Sequence, residues 1–212
     1  MKLGVIIPFR DRQNHLDCLI PQLKICLHDI NHEIVVVEQS VGKLFNVGMI
    51  RNIGTVFLKD CNYYCFHDVD MIPDTIYNDY SFNENITHLA SRCSQFKYKM
   101  PYKNYVGGVL LAEKKYFDLI NGYSNNYWGW GSEDDDLYLR CQKNNVFVDR
   151  RDCIYHCFNH KRDGSNLKKN SDILKLNKTT ENFFKNDGVN SLKFDIESIL
   201  EKKEYKLIKV MI

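Results

Sequence analysis

Runs rich in apolar residues alternate with amphipathic segments over the first part of the chain. Residues 3–8, 33–38 and 63–66 form short apolar runs, which predict buried strands. Between them, apolar residues recur at helical spacing over residues 16–27 and 45–58. Strands that alternate with helices form βαβ units with a mainly parallel sheet. The pattern therefore predicts an α/β fold with its ligand site outside the carboxyl ends of the strands.

The alternation changes after Pro73. Three further strands and two helices are predicted there: strands at 105–111, 146–148 and 154–156, and helices at 114–120 and from the acidic segment to about 144. Residues 161–178 are rich in lysine and asparagine, and we predict a mobile loop or lid. The alternative for this basic segment is contact with an anionic membrane surface.

Composition narrows the class of protein without identifying its chemistry. The 212 residues are 44% hydrophobic and 26% charged, with a net charge of +2, which favours one globular domain and gives no support for a nucleic-acid partner. The eight cysteines include no CxxC pair, and several stand in apolar runs as small hydrophobes. We find neither a signal peptide nor an apolar run near the ~20 residues that span a bilayer. A cytoplasmic protein is the expectation.

Two tryptophans and four consecutive carboxylates stand together in the middle of the chain. The segment reads Trp128-Gly129-Trp130-Gly131-Ser132-Glu133-Asp134-Asp135-Asp136. Aromatic faces stack on sugar rings, carboxylates accept hydrogen bonds from sugar hydroxyls, and a carboxylate can act as a general base. The alternative is an acidic first turn of the following helix, where carboxylates are stabilised by the helix dipole. Both interpretations can hold together.

A second acidic motif, Asp68-Val69-Asp70, follows the third apolar run. Side chains alternate along a strand, so Asp68 and Asp70 are expected on one side. Two carboxylates at the mouth of a sheet suit Mg²⁺ or Mn²⁺ carrying a diphosphate. A third polar cluster, His156-Cys157-Phe158-Asn159-His160, follows a predicted strand and offers further ligands for the same metal.

Taken together, these motifs resemble the β1,4-galactosyltransferase family of inverting, metal-dependent glycosyltransferases. The resemblance covers nearly all of the chain, and the Trp-Gly-Trp-Gly-x-Glu-Asp-Asp string is highly specific. The matching segments are Pro8-Phe9-Arg10-Asp11-Arg12, Phe45-Asn46, Asp68-Val69-Asp70, Tyr105-Val106-Gly107-Gly108, residues 128–136, His160 and Asp187-Gly188-Val189-Asn190-Ser191-Leu192. The resemblance implies a GT-A glycosyltransferase fold over residues 1–212, with a nucleotide-binding half at about 1–75 and an acceptor-binding half at about 76–212.

The resemblance also implies a role for each matching residue. Those that would bind the nucleotide sugar are Pro8, Phe9, Arg10, Asp11, Arg12, Phe45, Asn46, Asp68, Val69 and Trp130. Those that would bind the acceptor are Tyr102, Tyr105, Gly131, Ser132, Glu133, Asp134 and Asp135, with Asp134 as the catalytic base. The ligands of Mn²⁺ would be Asp70, His160 and Cys157, although a thiolate favours softer ions and Cys157 is otherwise a buried thiol.

Three departures from the family pattern concern the substrates. Val47 stands where relatives commonly have an arginine that contacts the nucleotide, and Ser132 replaces a residue that is glycine in many members. Around Ile173 and Leu174 there is no Arg-Phe pair of the kind that helps N-acetylglucosamine acceptors bind. The strings around Asp68 and Tyr105 look more like the branch that galactosylates xylose. Acceptors of the xylose, N-acetylglucosamine and glucose types therefore stay open.

We expect transfer of galactose, with inversion, from UDP-galactose to a hydroxyl of a glycan or lipid-linked sugar acceptor. Two alternatives are a lectin-like protein without catalysis on the same fold, and a transferase that uses UDP-N-acetylgalactosamine. Tyr105 matches the position that, in relatives, helps to choose galactose over its N-acetylated analogue. The expected setting is cytoplasmic, with peripheral membrane contact through residues 161–178 as an option.

Overall fold

The computed structural model describes residues 1–159 and 163–212. Within them the chain forms, in order, β1 (Leu3–Phe9), α1 (Gln13–Cys26), β2 (His32–Gln39), α2 (Val47–Val56), β3 (Tyr63–His67), β4 (Met71–Pro73), β5 (Ile86–His88), β6 (Arg92–Cys93), β7 (Val109–Glu113), α3 (Lys114–Leu119), α4 (Glu133–Lys143), β8 (Val148–Arg150), β9 (Ile154–Cys157), α5 (Leu167–Thr179), β10 (Asp195–Glu201) and β11 (Lys206–Met211). Short 3₁₀ helices lie at Ser94–Phe96, Phe183–Asn186 and Val189–Ser191.

The central sheet has the strand order β10-β11-β2-β1-β3-β7-β5-β8 in the described part of the chain. Strand β1 pairs in parallel with β2 and β3, as the βαβ pattern predicts, and β2–β11 and β5–β8 are also parallel. The pairs β10–β11, β3–β7 and β5–β7 are antiparallel. The sheet is therefore mixed, with a parallel centre, because the later strands are not each preceded by the crossover helix that parallel pairing requires.

Apolar layers cover both faces of this sheet, which is why its strands appear as continuous apolar runs. Alternate residues of β1 point to opposite layers: Val5 and Ile7 belong to one cluster, which includes α1, whereas Ile6 packs with α2. Helix α2 lies very close to β1, since a Cβ added at Gly54 would be 2.4 Å from Ile6. All eight cysteines are free thiols.

A smaller sheet of the order β4-β9-β6 carries the segment after the Asp-Val-Asp motif. Met71 pairs with Cys157 in this sheet, and the backbone N–H of Phe158 donates to the carbonyl oxygen of Asp70 at 2.9 Å. This pairing brings the end of β9 next to the end of β3, although the two are distant in the sequence.

Two predicted strands have clearly different bounds in the structure, and a predicted loop is largely a helix. The strand predicted at 105–111 begins only at Val109, because Gly108 has a φ of +88° and interrupts the extended backbone. The strand predicted at 146–148 instead spans Val148–Arg150. The prediction of a loop at 161–178 is wrong from Leu167 onward, where α5 begins. None of the helices in residues 1–159 and 163–212 combines the length and apolar character needed to cross a membrane.

Candidate functional site

The carboxyl ends of β1 and β3 and the first turn of α4 surround a cavity of about 710 Å³. This is the edge of the sheet where the strand pattern predicts a ligand site. Most of the predicted site residues line the cavity, namely Pro8, Arg10, Asp11, Arg12, Phe45, Asp68, Val69, Asp70, Tyr102, Tyr105, Trp130, Gly131, Ser132, Glu133, Asp134 and Asp135. The structure thus brings the two acidic motifs to one place.

Three predicted residues within residues 1–159 and 163–212 are not among those that line the cavity. The side chain of Phe9 lies in the apolar core. Asn46 is buried at the start of α2, where its side-chain oxygen accepts from the backbone N–H of Met49 at 2.9 Å. Cys157 is half-buried at the end of β9, and His160 lies outside the described residues. The predicted contacts of Phe9 and Asn46 with the nucleotide sugar, and of Cys157 and His160 with the metal, stay predictions.

The loop before α4 owes its shape to unusual backbone angles. Gly129, Gly131 and Ser132 have φ values of +75°, +104° and +78°, in the left-handed region that favours glycine. Asn170 of α5 holds this loop in place, since its side-chain amide donates to the carbonyl oxygens of Trp128 and Gly131, both at 3.1 Å. These contacts set the direction in which α4 presents its carboxylates to the cavity.

A buried arginine that the sequence analysis missed joins the two acidic motifs. Arg51 of α2 is only 2% exposed. Its Nη1 donates to Oδ1 of Asp134 at 2.8 Å, and its Nη2 donates to Oδ1 of Asp68 at 2.7 Å. The guanidinium also lies over the ring of Tyr123, with 4.8 Å between Cζ and the ring centroid. A charged residue between the apolar Ile50 and Ile53 was the available signal.

The carboxylates at this site are held in a poorly solvated environment. Burial raises the pKa of Asp68 to about 6, although the charge of Arg51 opposes this shift. Burial and then the neighbouring charge of Asp134 raise the pKa of Glu133 to about 8. Burial would lower the pKa of Arg51, but Tyr123 and the carboxylates outweigh it and raise the pKa well above its usual value. The arginine is therefore a permanent positive charge within an acidic cluster.

Aromatic rings form the wall opposite the first turn of α4. Tyr105 packs edge-on against Phe96 and Tyr102, with 5.5 Å between ring centroids in both pairs. The hydroxyl of Tyr102 donates to Oδ1 of Asp135 at 2.8 Å. A Cβ added at Gly107 would be 2.5 Å from Oδ2 of Asp134, so this oxygen lies against the backbone beside Tyr105. Aromatic faces beside carboxylates are well suited to bind a sugar.

Part of a donor set for a metal ion is present at the end of β3. Asp70 lines the cavity and offers the oxygen ligand that Mn²⁺ prefers. A hydrogen bond with Cys93 is the main factor that lowers the pKa of Cys157 to about 7. Within residues 1–159 and 163–212, no three His, Cys, Asp or Glu side chains form a metal-binding group. The described residues therefore fit a metal held through Asp70 only if further ligands come from elsewhere.

Comparison with known families agrees with the arrangement of these motifs. Residues 1–83 match the profile described as the N-terminal region of glycosyl transferase group 7. Residues 87–163 match the profile described as the N-terminal domain of galactosyltransferase. The two matches cover both acidic motifs and most of the chain.

Individual relatives extend the match over almost the whole chain. Beta-1,4-galactosyltransferase 4 of Cricetulus griseus is 34% identical over 99% of this chain and 63% of its own length. Beta-1,4-galactosyltransferase 1 of Bos taurus is 35% identical over 97% of this chain and 52% of its own length. The chain thus spans about half to two thirds of the length of these curated relatives.

Two solved structures of a Drosophila beta1,4galactosyltransferase 7 resemble this one. Its catalytic domain in complex with xylobiose superposes with a TM-score of 0.84 at 26% identity, over 99% of this chain and 93% of that one. A variant in complex with manganese, UDP-Gal and xylobiose has a TM-score of 0.76 at 25% identity, with the same coverage. With the matching profiles and relatives, this similarity shows that the chain has the GT-A fold and belongs to the β1,4-galactosyltransferase family, glycosyl transferase group 7.

Proposed function

We propose that this protein transfers galactose from UDP-galactose to a hydroxyl of an acceptor sugar, with inversion at the anomeric carbon. One observation carries the proposal: Asp68 of the donor motif and Asp134 of the acceptor motif line one cavity and accept hydrogen bonds from the same buried guanidinium, that of Arg51. The relatives named beta-1,4-galactosyltransferase support the reaction class. The Drosophila complex with manganese, UDP-Gal and xylobiose supports the nature of the ligands.

In this reaction Asp134 is the general base. The acceptor oxygen attacks the anomeric carbon of galactose from the face opposite the diphosphate, and the bond from that carbon to the diphosphate oxygen breaks. UDP departs with the electron pair, and the acceptor proton passes to the carboxylate of Asp134. Oδ1 of Asp134 is bonded to Arg51, so Oδ2 is the oxygen assigned to the proton. Such base assistance contributes ~10²–10⁴-fold to the rate.

The basic residues after β1 serve the donor in this proposal. Arg10, Asp11 and Arg12 line the cavity together with Phe45. The guanidinium of Arg10 lies 5.1 Å from the ring centroid of Phe45 and donates to the carbonyl oxygen of Lys43 at 2.9 Å. This ring suits stacking with uracil, and the arginine charges suit the diphosphate.

We propose Asp70 and His160 as ligands of Mn²⁺, with Cys157 as a third. Such an ion would supply positive charge that stabilises the diphosphate as it leaves. Cys157 pairs with Met71 in the smaller sheet, which places its backbone beside the acidic motif. A thiolate is a poor partner for Mn²⁺ compared with oxygen and imidazole, so Asp70 carries most of the assignment.

The lectin-like alternative rests on the missing arginine at position 47 and on the altered acceptor neighbourhood around Ser132. Arg51, four residues further along α2, supplies a guanidinium that Asp68 and Asp134 share. A sugar-binding protein without catalysis would not require that link between the two motifs. The transferase is therefore preferred. The acceptor type and the cytoplasmic setting stay predictions.

An assay of the purified protein tests this proposal. UDP-galactose or UDP-N-acetylgalactosamine is supplied with Mn²⁺ and a panel of xylose, N-acetylglucosamine and glucose acceptors. We expect transfer from UDP-galactose with at least one acceptor, and its loss on chelation of the metal. Sugar binding by the protein without any release of UDP would favour the lectin-like alternative.

The variant Asp134→Asn assigns the base. It should lower turnover by ~10²–10⁴-fold, because the amide cannot accept the acceptor proton. Its affinity for UDP, measured by calorimetry, should stay close to that of the wild type. Asp118→Asn is the control, since Asp118 lies on α3 and does not line the cavity. Normal turnover in Asp134→Asn would assign the base to another residue.

A further inference from the structure

Arg51 is buried inside the acidic cluster but is absent from the motifs that identify the family. We propose that Arg51 is a positioning residue, which orients the carboxylate of Asp134 for the acceptor by tying it to Asp68. The inference rests on the proposed function and adds to it the residue that aligns the base with the donor side of the site.

Three contacts leave the guanidinium little freedom. Nη1 and Nη2 donate to Asp134 and Asp68, and Cζ lies over the ring of Tyr123 at 4.8 Å from its centroid. The helix beneath it is itself fixed, because Gly54 allows α2 to contact Ile6 of β1. A planar, forked donor held in this way transmits a fixed direction to its acceptors.

The consequence for Asp134 is a difference between its two oxygens. Oδ1 accepts from Nη1 at 2.8 Å, and Oδ2 lies beside Gly107 and Tyr105. One oxygen is therefore occupied by the arginine, while the other faces the aromatic wall of the cavity. A carboxylate without this contact is free to rotate about its bond to Cβ and to exchange the two oxygens.

The hydrogen bonds from Arg51 have a second effect, because the carboxylates that accept them repel each other. The side chains of Asp134 and Asp68 are only 20% and 32% exposed, so their like charges repel more strongly than they would in bulk water. Arg51 donates to both of these carboxylates and thereby keeps them together. Arg51 lies one helical turn after Val47, on the same face of α2. Its guanidinium therefore reaches the carboxylates from a position further along the helix than residue 47.

Arg140, a second buried arginine, makes similar contacts away from the cavity and serves as a comparison for a purely structural role. Arg140 of α4 is fully buried and also joins two carboxylates: Nε donates to Asp136 at 2.6 Å, and Nη2 donates to Asp187 at 3.0 Å. Neither Arg140 nor these partners line the cavity. Arg140 therefore offers a control with the same burial and chemistry but without contact to Asp134.

The experiment compares Arg51→Lys and Arg51→Gln with Arg140→Lys. Each variant is assayed for kcat and KM with UDP-galactose, Mn²⁺ and the best acceptor, for UDP affinity by calorimetry, and for Tm. Lysine keeps the charge but not the fork, so we expect Arg51→Lys to lower kcat by ~10²-fold, a loss of the size that a ~1 Å misplacement can cause. UDP affinity should change far less than kcat. Arg51→Gln, which donates without charge, provides the measurement if the lysine variant does not fold.

The outcomes separate the inference from the function on which it rests. If Arg140→Lys lowers Tm but keeps the wild-type kcat, while Arg51→Lys loses kcat, positioning by Arg51 is supported. If both variants lose only stability, Arg51 is a structural residue and the inference fails. If the wild-type protein transfers no galactose to any acceptor, the proposed function fails instead.

Discussion

A single methyl group added at Gly107 should displace the assigned base. The φ of Gly107 is outside the left-handed region, so alanine suits its backbone. Its Cβ, however, would lie 2.5 Å from Oδ2 of Asp134 and 2.8 Å from the hydroxyl of Tyr105. Ordinary contact begins at 3.4 Å, so Asp134 would have to retreat by about 0.9 Å. Arg51 holds the other side of this carboxylate at 2.8 Å, so the retreat also disturbs that bond.

The size of the effect follows from this displacement. A shift near 1 Å at a reacting group costs ~10²-fold in rate, which corresponds to ~2.7 kcal/mol in the activation free energy. Gly107→Ala should therefore lower kcat by that factor with the best acceptor. The affinity for UDP, measured by calorimetry without acceptor, should stay near the wild-type value because the methyl group points toward the acceptor carboxylates.

Gly4→Ala is the matched control for the crowding itself. A Cβ at Gly4 would lie 2.8 Å from Cδ1 of Leu58, in the core and away from the carboxylates. Such overpacking typically costs ~1–3 kcal/mol of stability. We expect Gly4→Ala to lower Tm and to keep its kcat. The reasoning would be refuted if Gly107→Ala also kept the wild-type kcat and lost only stability.

Two predictions concern stability. Ser132 has a φ of +78° and makes no capping hydrogen bond with its side chain, so Ser132→Gly should increase the free energy of unfolding by roughly 0.5–1 kcal/mol. Thermal unfolding checks this, and a lower Tm would contradict it. Burial, with a smaller contribution from Arg150, lowers the pKa of His88 from 6.5 to about 4. The folded chain thus keeps His88 neutral, and the stability from this group is complete above pH 6.5 and lost as the pH falls toward 4. His88→Gln should remove up to ~3 kcal/mol of this pH dependence in urea unfolding. An unchanged slope would contradict the assignment.

The neutral state of His88 also follows from its partners. Nδ1 lies 2.6 Å from Nη1 of Arg150, which can only donate, and Nε2 lies 2.9 Å from the carbonyl oxygen of Gly107, which can only accept. Nδ1 must therefore be the acceptor and Nε2 must carry the hydrogen. This arrangement links the histidine to the backbone beside the assigned base.

The sequence predicted the elements correctly where burial produces a regular pattern of apolar residues along the chain. Strands β1, β2 and β3 are covered on both faces, so their apolar runs stand out. Helix α1 buries one apolar face, and α2 has apolar residues at helical spacing although nearly all of its residues are buried. Helix α5 was missed because the residue it buries most is polar. Asn170 is the buried residue of this helix, and the surrounding lysines and asparagines are typical of a loop.

The site was predictable in its motifs but not in its connections. Asp68 and Asp134 were both identified, since carboxylates in such settings are unusual. Arg51 was not, because its partners lie 17 and 83 positions away and only the folded chain brings them together. The positive φ of Ser132 was equally hidden, since it depends on how the loop enters α4 rather than on the residue itself.

The pairing of β2 with β11 has a consequence for the way this chain is synthesised. Val35 pairs with Lys206 and Val37 with Ile208, so β2 leaves the ribosome long before its outer neighbour exists. During that interval β2 presents an open backbone edge, which is a template for pairing with other chains. Contacts between such distant residues also form slowly. The nucleotide side of the sheet is therefore completed late, and the nascent chain is most vulnerable to aggregation before β11 arrives.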